Sequence, residues 1–304
     1  MIGLIADSVH PKLLELLDSK GFKFDYLPDI GQDELIRIIK NYDFLIVRGR
    51  TIVDRKVLEN AAKLKVIIRY GVGLDNIDIN YAKQRGVSVY NTPQAFTEAV
   101  AELTVALILG VLRGIGEAHM SLKMGKWEKS SFLGYELHGK TVAILGFGRI
   151  GKRVADLLEP FNVNIIAYDI IPIPEEYIKK GVKQARSLRE AVENADIVTI
   201  HMPLTSETLN LIDYELFKSM KRKPYIINTA RGKIVNQNDL KKALSEGLIK
   251  GAALDVYASE PLDDEELIKF KNILLTPHIG AQTYEAREKA AYEVVNILER
   301  ELKR

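Results

Sequence analysis

The chain has 304 residues, 47% hydrophobic and 28% charged, the balance of a globular protein long enough for two packed cores. Its 43 basic and 41 acidic residues leave a net charge of +2, which gives no electrostatic footprint for nucleic acid or an anionic membrane. Cysteine is absent, which excludes disulfides, thiolate metal sites and a thiol nucleophile.

Met1 to Asp7 reads as a first strand, too short for the apolar region of a signal peptide. The longest apolar stretch, Leu103 to Leu112, falls short of a membrane span, so a cytoplasmic protein is expected. Over the first hundred residues, strand patterns at Ile2–Ala6, Phe22–Tyr26, Phe44–Val47, Val66–Ile68 and Val87–Tyr90 alternate with helical patterns. Such alternation implies a parallel sheet with helices on its faces. Thr97 to about Arg113 is a strongly apolar helix, and Lys123 to His138 reads as a loop or arm. That arm holds Trp127, the only tryptophan, for which local packing is expected, a subunit contact being one setting for it.

The stretch from Thr141 to Asp169 carries the most information. An apolar run, Thr141–Leu145, leads into Gly146-Phe147-Gly148-Arg149-Ile150-Gly151 and then an amphipathic helix closed by Pro160. Asn164–Tyr168 follows as a second strand that ends on Asp169. In this setting Gly146 permits the tight turn, Gly148 lets backbone approach a pyrophosphate, and Gly151 allows close helix–strand packing. The pyrophosphate would rest on the free N–H groups of the helix start. The Asp169 carboxylate suits a ribose 2′-OH and repels a 2′-phosphate, and Ile170 and Ile171 rather than an arginine follow it, so NAD is expected over NADP.

Beyond this loop, Ser187-Leu188-Arg189-Glu190 is a capping box. Strands are expected at Asp196–Ile200, Pro224–Asn228, Gly251–Leu254 and Asn272–Leu275, with a last helix from about Tyr284 to Leu302. Ligands bind at strand ends in open parallel sheets. Arg231, just past one such end, offers a planar fork for a carboxylate. Asp255 ends a strand, Glu260 precedes Pro261, and His278 follows Pro277. Hydride transfer at a carbinol carbon requires a proton partner, a role suited to histidine beside a carboxylate. Taken singly, each of these residues is equally readable as a cap or a solvated loop group.

Together the motifs resemble the D-isomer-specific 2-hydroxyacid dehydrogenase family from end to end. They are GFGRIG with Asp169, HMPLT at 201–205, NTARG at 228–232, LDVYASEP at 254–261 and PHIGA at 277–281. The resemblance implies that Arg231, Glu260 and His278 are the catalytic residues. It implies that Asp255 holds the nicotinamide carboxamide and that His201, Met202 and Pro203 lie beside the adenosine half. Further cofactor contacts are implied at Val72, Gly146, Gly148, Arg149, Ile150, Gly151, Thr229, Gly280 and Ala281.

Within the family, RYGVGLDNID at 69–78, NTP at 91–93, AELT at 101–104 and the run from Trp127 to Thr141 resemble the D-3-phosphoglycerate dehydrogenases. That likeness implies a substrate carboxylate held at Val72 and Gly73, with Asn76 alongside. It also implies that Arg48 and Arg50 of VRGRT face the substrate, where a phosphate would suit them; a solvated loop pair is the alternative on the residues alone.

The expected fold is therefore α/β with two Rossmann-like or flavodoxin-like parallel sheets. Residues 1–96 and 280–304 are expected to form the substrate domain, with the NAD-binding domain, 97–279, inserted. The expected reaction is NAD-dependent oxidation of 3-phospho-D-glycerate. A glyoxylate or hydroxypyruvate reductase is the alternative, and an NAD-sensing corepressor-like protein a third reading. Resemblance further implies a homodimer through the nucleotide domain, with Val100–Leu112 contributing. Many members of the branch carry a C-terminal regulatory domain; as the chain stops at Arg304, no serine-binding domain is expected.

Overall fold

The computed structural model describes residues 1–302. The chain divides into two compact units, Met1–Thr97 with Ala281–Arg304, and Glu98–Gly280.

Among the described residues the first unit is built on strands β1 (Ile2–Ile5), β2 (Lys23–Tyr26), β3 (Phe44–Val47), β4 (Val66–Arg69) and β5 (Ser88–Asn91). All pair in parallel, in the order β2-β1-β3-β4-β5, a doubly wound flavodoxin-type order. Central strand β3 is buried at every position, which is why Phe44-Leu45-Ile46-Val47 is continuously apolar rather than alternating. The sheet's partner Gly3 is obligatory, because a Cβ there would lie 2.0 Å from the Phe44 ring. The second strand begins at Lys23 and not Phe22: the Phe22 N–H bonds the Leu17 carbonyl, and its ring packs edge-on against Phe44 at 6.0 Å. The last helix, Tyr284–Leu302, buries Ala286, Ala290, Ala291, Val294, Val295 and Leu298 and packs on the helix Pro11–Ser19. Burial of that apolar stripe is what returns the chain's end to the first unit.

The second unit holds β6 (Thr141–Leu145), β7 (Asn164–Tyr168), β8 (Lys183–Gln184), β9 (Ile197–Ile200), β10 (Tyr225–Asn228), β11 (Gly251–Leu254) and β12 (Ile273–Leu275). These pair in parallel in the order β12-β11-β10-β9-β6-β7-β8. This is the Rossmann arrangement, with the strand order reversing between β6 and β9. Strand-end loops at that switch point form the crevice in which this fold binds ligands.

The apolar helix Thr97–Leu112 buries Val100, Ala101, Thr104, Leu107, Ile108 and Leu112 in its own unit, so its hydrophobicity is spent on this core. No single helix among the described residues is long and apolar enough to cross a membrane. The arm differs from expectation in one respect. Trp127 is 83% exposed, so local packing does not hold it, and Met124 and Leu133 nearby are also exposed. It follows the helix Ile115–Lys123, none of whose residues is buried, so no core lies beneath it.

The short helices Ile115–Lys123, Glu175–Lys179, Tyr214–Ser219 and Glu265–Ile268 and strand β8 were not expected from periodicity, being too brief to show one. Two of them carried a cap signal: Asp213 and Asp264 accept from the N–H groups of Leu216 and Leu267. The capping box is present in altered form. Ser187 accepts from the Glu190 N–H at 3.1 Å, while the Glu190 carboxylate reaches the N–H of Arg186 rather than of Ser187.

Candidate active site

At the end of β6, each glycine of the loop shows its own steric reason. Gly146 has φ +90°, and a Cβ on it would meet the His201 and Met202 backbone at 2.7 Å. A Cβ on Gly151 would meet the Gly146 carbonyl oxygen at 2.2 Å, so only glycine lets the helix Arg149–Leu158 sit this close to β6. Around Gly148 there is nothing within 4 Å of a Cβ, and no side chain caps the helix it begins. Open space in front of uncapped N–H groups and a positive dipole end is what a pyrophosphate requires. Arg149 and Ile150 are the first two residues of that helix.

Asp169, beyond β7, accepts from the Phe147 N–H at 2.6 Å and the Ile171 N–H at 3.0 Å. Its carboxylate is thus tied to the glycine loop itself. Ile170 and Ile171 are 91% and 68% exposed and put no cation beside it. The residues fit NAD: the loop receives the pyrophosphate, and a carboxylate stands where a ribose hydroxyl is held.

Across the switch point, the His201 N–H bonds the Leu145 carbonyl at 2.7 Å, joining the end of β9 to β6. Its Nε2 pairs with the Thr199 hydroxyl at 2.9 Å, while Nδ1 is buried with no hydrogen-bond partner. Burial pushes the imidazole down from 6.5 to about 3, so it is neutral at any working pH. Met202 is buried and Pro203 exposed in the same turn. A stability prediction follows. The unfolded chain protonates His201 below pH 6.5 but the folded chain does so only near 3, so stability is lost as pH falls through that window. The slope is up to about 1.4 kcal/mol per pH unit from this group. Denaturant unfolding at several pH values should show that component in the wild type and not in His201→Gln; equal slopes in both would remove the assignment.

The catalytic candidates stand on three adjacent strand ends. Asn228 of β10 pairs with Leu254 of β11, and Leu254 with Leu275 of β12, so the segments that follow emerge side by side. After β10, buried Asn228 shapes the turn, accepting from the Ala230 N–H at 3.0 Å and donating to the Arg231 carbonyl at 2.9 Å. The Thr229 hydroxyl lies 2.9 Å from that of Thr104, both buried. Arg231 Nη1 donates to the Ala230 carbonyl at 2.7 Å. Gly232 comes next, and a Cβ there would meet the Tyr257 carbonyl oxygen at 2.0 Å; this close approach brings the Arg231 turn against the loop after β11.

In that loop Glu260 accepts from His278 Nδ1 at 2.7 Å and from the Tyr257 N–H at 3.1 Å. Partial burial pushes the Glu260 carboxyl up, but the bond to and charge of His278, the Tyr257 N–H and the charge of Arg231 outweigh it and hold the group below its ordinary value. Glu260 is therefore a carboxylate partner and not a proton donor. Tyr257, unassigned by sequence, ties the two strand ends together. Its hydroxyl reaches the Thr276 carbonyl at 2.8 Å, and burial beside Asp255 pushes it up to about 12, so it stays a neutral donor.

His278 has φ +53°, the left-handed region that histidine enters more readily than most residues. Asp255 holds it there. This carboxylate is 1% exposed and accepts from the Thr276 hydroxyl at 2.6 Å and from the N–H groups of Ile279 and Gly280, each at 2.8 Å. Its bonds thus all go to the segment that carries His278. Asp255 therefore acts within the chain as the clamp of that segment, a part that sequence did not disclose. Gly280 and Ala281 follow in the same stretch.

The implied substrate residues lie in the first unit. Val72 and Gly73 form the loop after β4, where Asn91 donates to the Val72 carbonyl at 2.6 Å. Asn76 donates to the carbonyls of Arg48 and Thr51 at 2.8 and 2.6 Å, so it braces the arginine loop. Arg50 donates to the carbonyls of Ile30, Pro28 and Ala6 and pairs with Asp7 at 3.1 Å. Its fork is engaged in tying β1 and β3 loops together. Among the described residues the Arg48 side chain makes one hydrogen bond, to the Ser8 carbonyl at 3.3 Å.

The NAD binding domain profile of the D-isomer specific 2-hydroxyacid dehydrogenases matches residues 105–280. A D-3-phosphoglycerate dehydrogenase of Methanocaldococcus jannaschii is 42% identical over 96% of this chain and 55% of its own length. The chain thus spans about half of that relative. A glyoxylate reductase of Thermococcus litoralis is 44% identical over 84% of this chain and 80% of its own. The crystal structure of a glyoxylate reductase from Paecilomyes thermophila superposes with a TM-score of 0.91 at 28% identity, covering 98% of this chain and 94% of that one. With its glycine loop, Asp169 and the strand-end residues arranged as described, the chain belongs to the D-isomer specific 2-hydroxyacid dehydrogenase family.

Proposed function

We propose that the protein oxidises 3-phospho-D-glycerate to 3-phosphohydroxypyruvate with NAD, the reaction that opens serine biosynthesis. The observation that carries the chemistry is the His278–Glu260 pair beside Arg231 at the ends of β10–β12. When bound, NAD supplies the hydride acceptor. Glu260 holds Nδ1, so Nε2 is the nitrogen left to take the substrate's hydroxyl proton, and the carboxylate stabilises the imidazolium that results. Arg231 binds the substrate carboxylate through its fork. The phosphorylated substrate is supported by the VGLDN loop and by the match to phosphoglycerate dehydrogenases over nearly the whole chain. A second reading, a glyoxylate or hydroxypyruvate reductase, is supported by the reductase that aligns over most of both chains.

The test is a steady-state comparison. NAD reduction would be followed with 3-phosphoglycerate and with D-glycerate, and NADH oxidation with glyoxylate and hydroxypyruvate. The proposal expects kcat/KM for the phosphorylated acid to exceed that for D-glycerate by about a hundredfold, as the loss of a charge-assisted contact would give. Equal or better use of the unphosphorylated acids would move the function to the reductase reading. The exposed apolar side chains of Met120, Leu122, Met124, Trp127 and Leu133, close together in sequence, support a homodimer through the nucleotide-binding unit.

A further inference from the structure

In the first unit two guanidinium groups converge on one buried tyrosine. Tyr70, next after β4, is 0% exposed. Its hydroxyl donates to the backbone carbonyl of Arg287, and the charge of Arg287 and the His10 backbone act on the phenol against the burial that raises its pKa. The guanidinium carbon of Arg48 stands 5.9 Å from the centre of the same ring. Arg48 comes from the loop after β3, Arg287 from the first turns of the helix Tyr284–Leu302, so the sheet and the returning helix each contribute one cation.

Among the described residues, neither arginine is paired with a carboxylate: the Arg48 guanidinium hydrogen-bonds the Ser8 carbonyl alone, and Nε of Arg287 is buried without a hydrogen-bond partner. The neighbouring carboxylate, Asp7, is committed elsewhere: to Arg50 at 3.1 Å, to the Thr51 hydroxyl at 2.7 Å and to the Arg48 backbone N–H. Burial and then the charge of Arg287 lower the pKa of Arg48, the direction expected of two like charges held together partly out of water. Such a pair costs free energy until an anion joins it, and forked donors with unused N–H groups favour a phosphate or carboxylate.

We propose that Arg287 is a specificity-determining residue that forms, with Arg48, the clamp for the substrate's distal anionic group, the phosphate of the three-carbon acid. This inference rests on the phosphoglycerate reading given above. It also separates the two arginines of VRGRT: Arg48 is the ligand-facing one, and Arg50 is a brace for the loop.

Two measurements on the full chain test it, using Arg287→Gln and Arg48→Gln. In the first, inorganic phosphate is the probe, and its stabilisation of the protein against heat is read for the wild type and both variants. The clamp predicts a Tm rise in the wild type that is lost in each variant; a rise of equal size in all three overturns it. In the second, the ratio of kcat/KM for 3-phosphoglycerate over D-glycerate is expected to fall about tenfold or more in each variant, and an unchanged ratio overturns the clamp. If the wild type ignores 3-phosphoglycerate while phosphate binding still depends on both arginines, the clamp stands and the substrate reading falls. Should Arg287→Gln fail to fold because Tyr70 loses its partner, Arg48→Gln, which leaves the Tyr70–Arg287 contact intact, carries both measurements.

Discussion

Replacing His278 with asparagine is expected to lower kcat for hydroxy-acid oxidation by about 10²–10⁴, the usual worth of a positioned general acid or base. Asparagine is the informative substitution because the position has φ +53°. It tolerates the left-handed region, whereas alanine would add backbone strain to the loss of the imidazole. The variant should keep the fold and bind NAD, since the glycine loop and Asp169 lie at the ends of other strands. Single-turnover hydride transfer together with NADH binding by fluorescence would separate chemistry from cofactor affinity. Turnover within a few-fold of wild type would end the assignment of the proton to His278, and with it the reason for the Glu260 contact at 2.7 Å.

The second large effect is expected at Asp255, through the segment that it holds. Asp255→Ala leaves the part-buried Ile279 N–H, the buried Gly280 N–H and the Thr276 hydroxyl without their acceptor. A buried polar group so abandoned costs about 1–3 kcal/mol, so the second unit should lose about 3 kcal/mol or more. With the clamp gone His278 is released from its conformation, and kcat should fall by about a hundredfold, as misplacement of a catalytic group by an ångström does. Asp255→Asn should be intermediate. Its amide oxygen can accept from two of the three donors, but its NH₂ would face a backbone N–H. Denaturation midpoints and kcat measured on the three proteins would show the order Asp, Asn, Ala in both quantities. Stability and turnover of the alanine variant within twofold of wild type would refute the clamp.

Much of the fold was legible because it is local chemistry repeated. Short apolar runs alternating with amphipathic helices dictate parallel strands, and all eleven strand expectations fall on observed ladders with ends shifted by a residue or so. The glycine loop was legible for the same reason: the turn at Gly146 and the contact of Gly151 with the Gly146 carbonyl are made within six residues. Trp127 shows the limit, since composition cannot tell whether a large ring finds a core, and this one does not.

By itself, the sequence determined the class of the protein and the nucleotide loop, and through the family resemblance it singled out Arg231, Glu260 and His278 as candidates. Tertiary structure alone decided which atoms meet. The order β10-β11-β12 places segments from distant parts of the chain side by side, and this is what gives His278 its carboxylate and its clamp. It also divided Arg48 from Arg50, two residues apart in sequence, by giving one a carboxylate and three carbonyls and the other a second arginine. Spacing along a chain constrains only neighbours within a turn or a strand. The fields and hydrogen bonds that make a site depend on distances that close when the sheet is assembled.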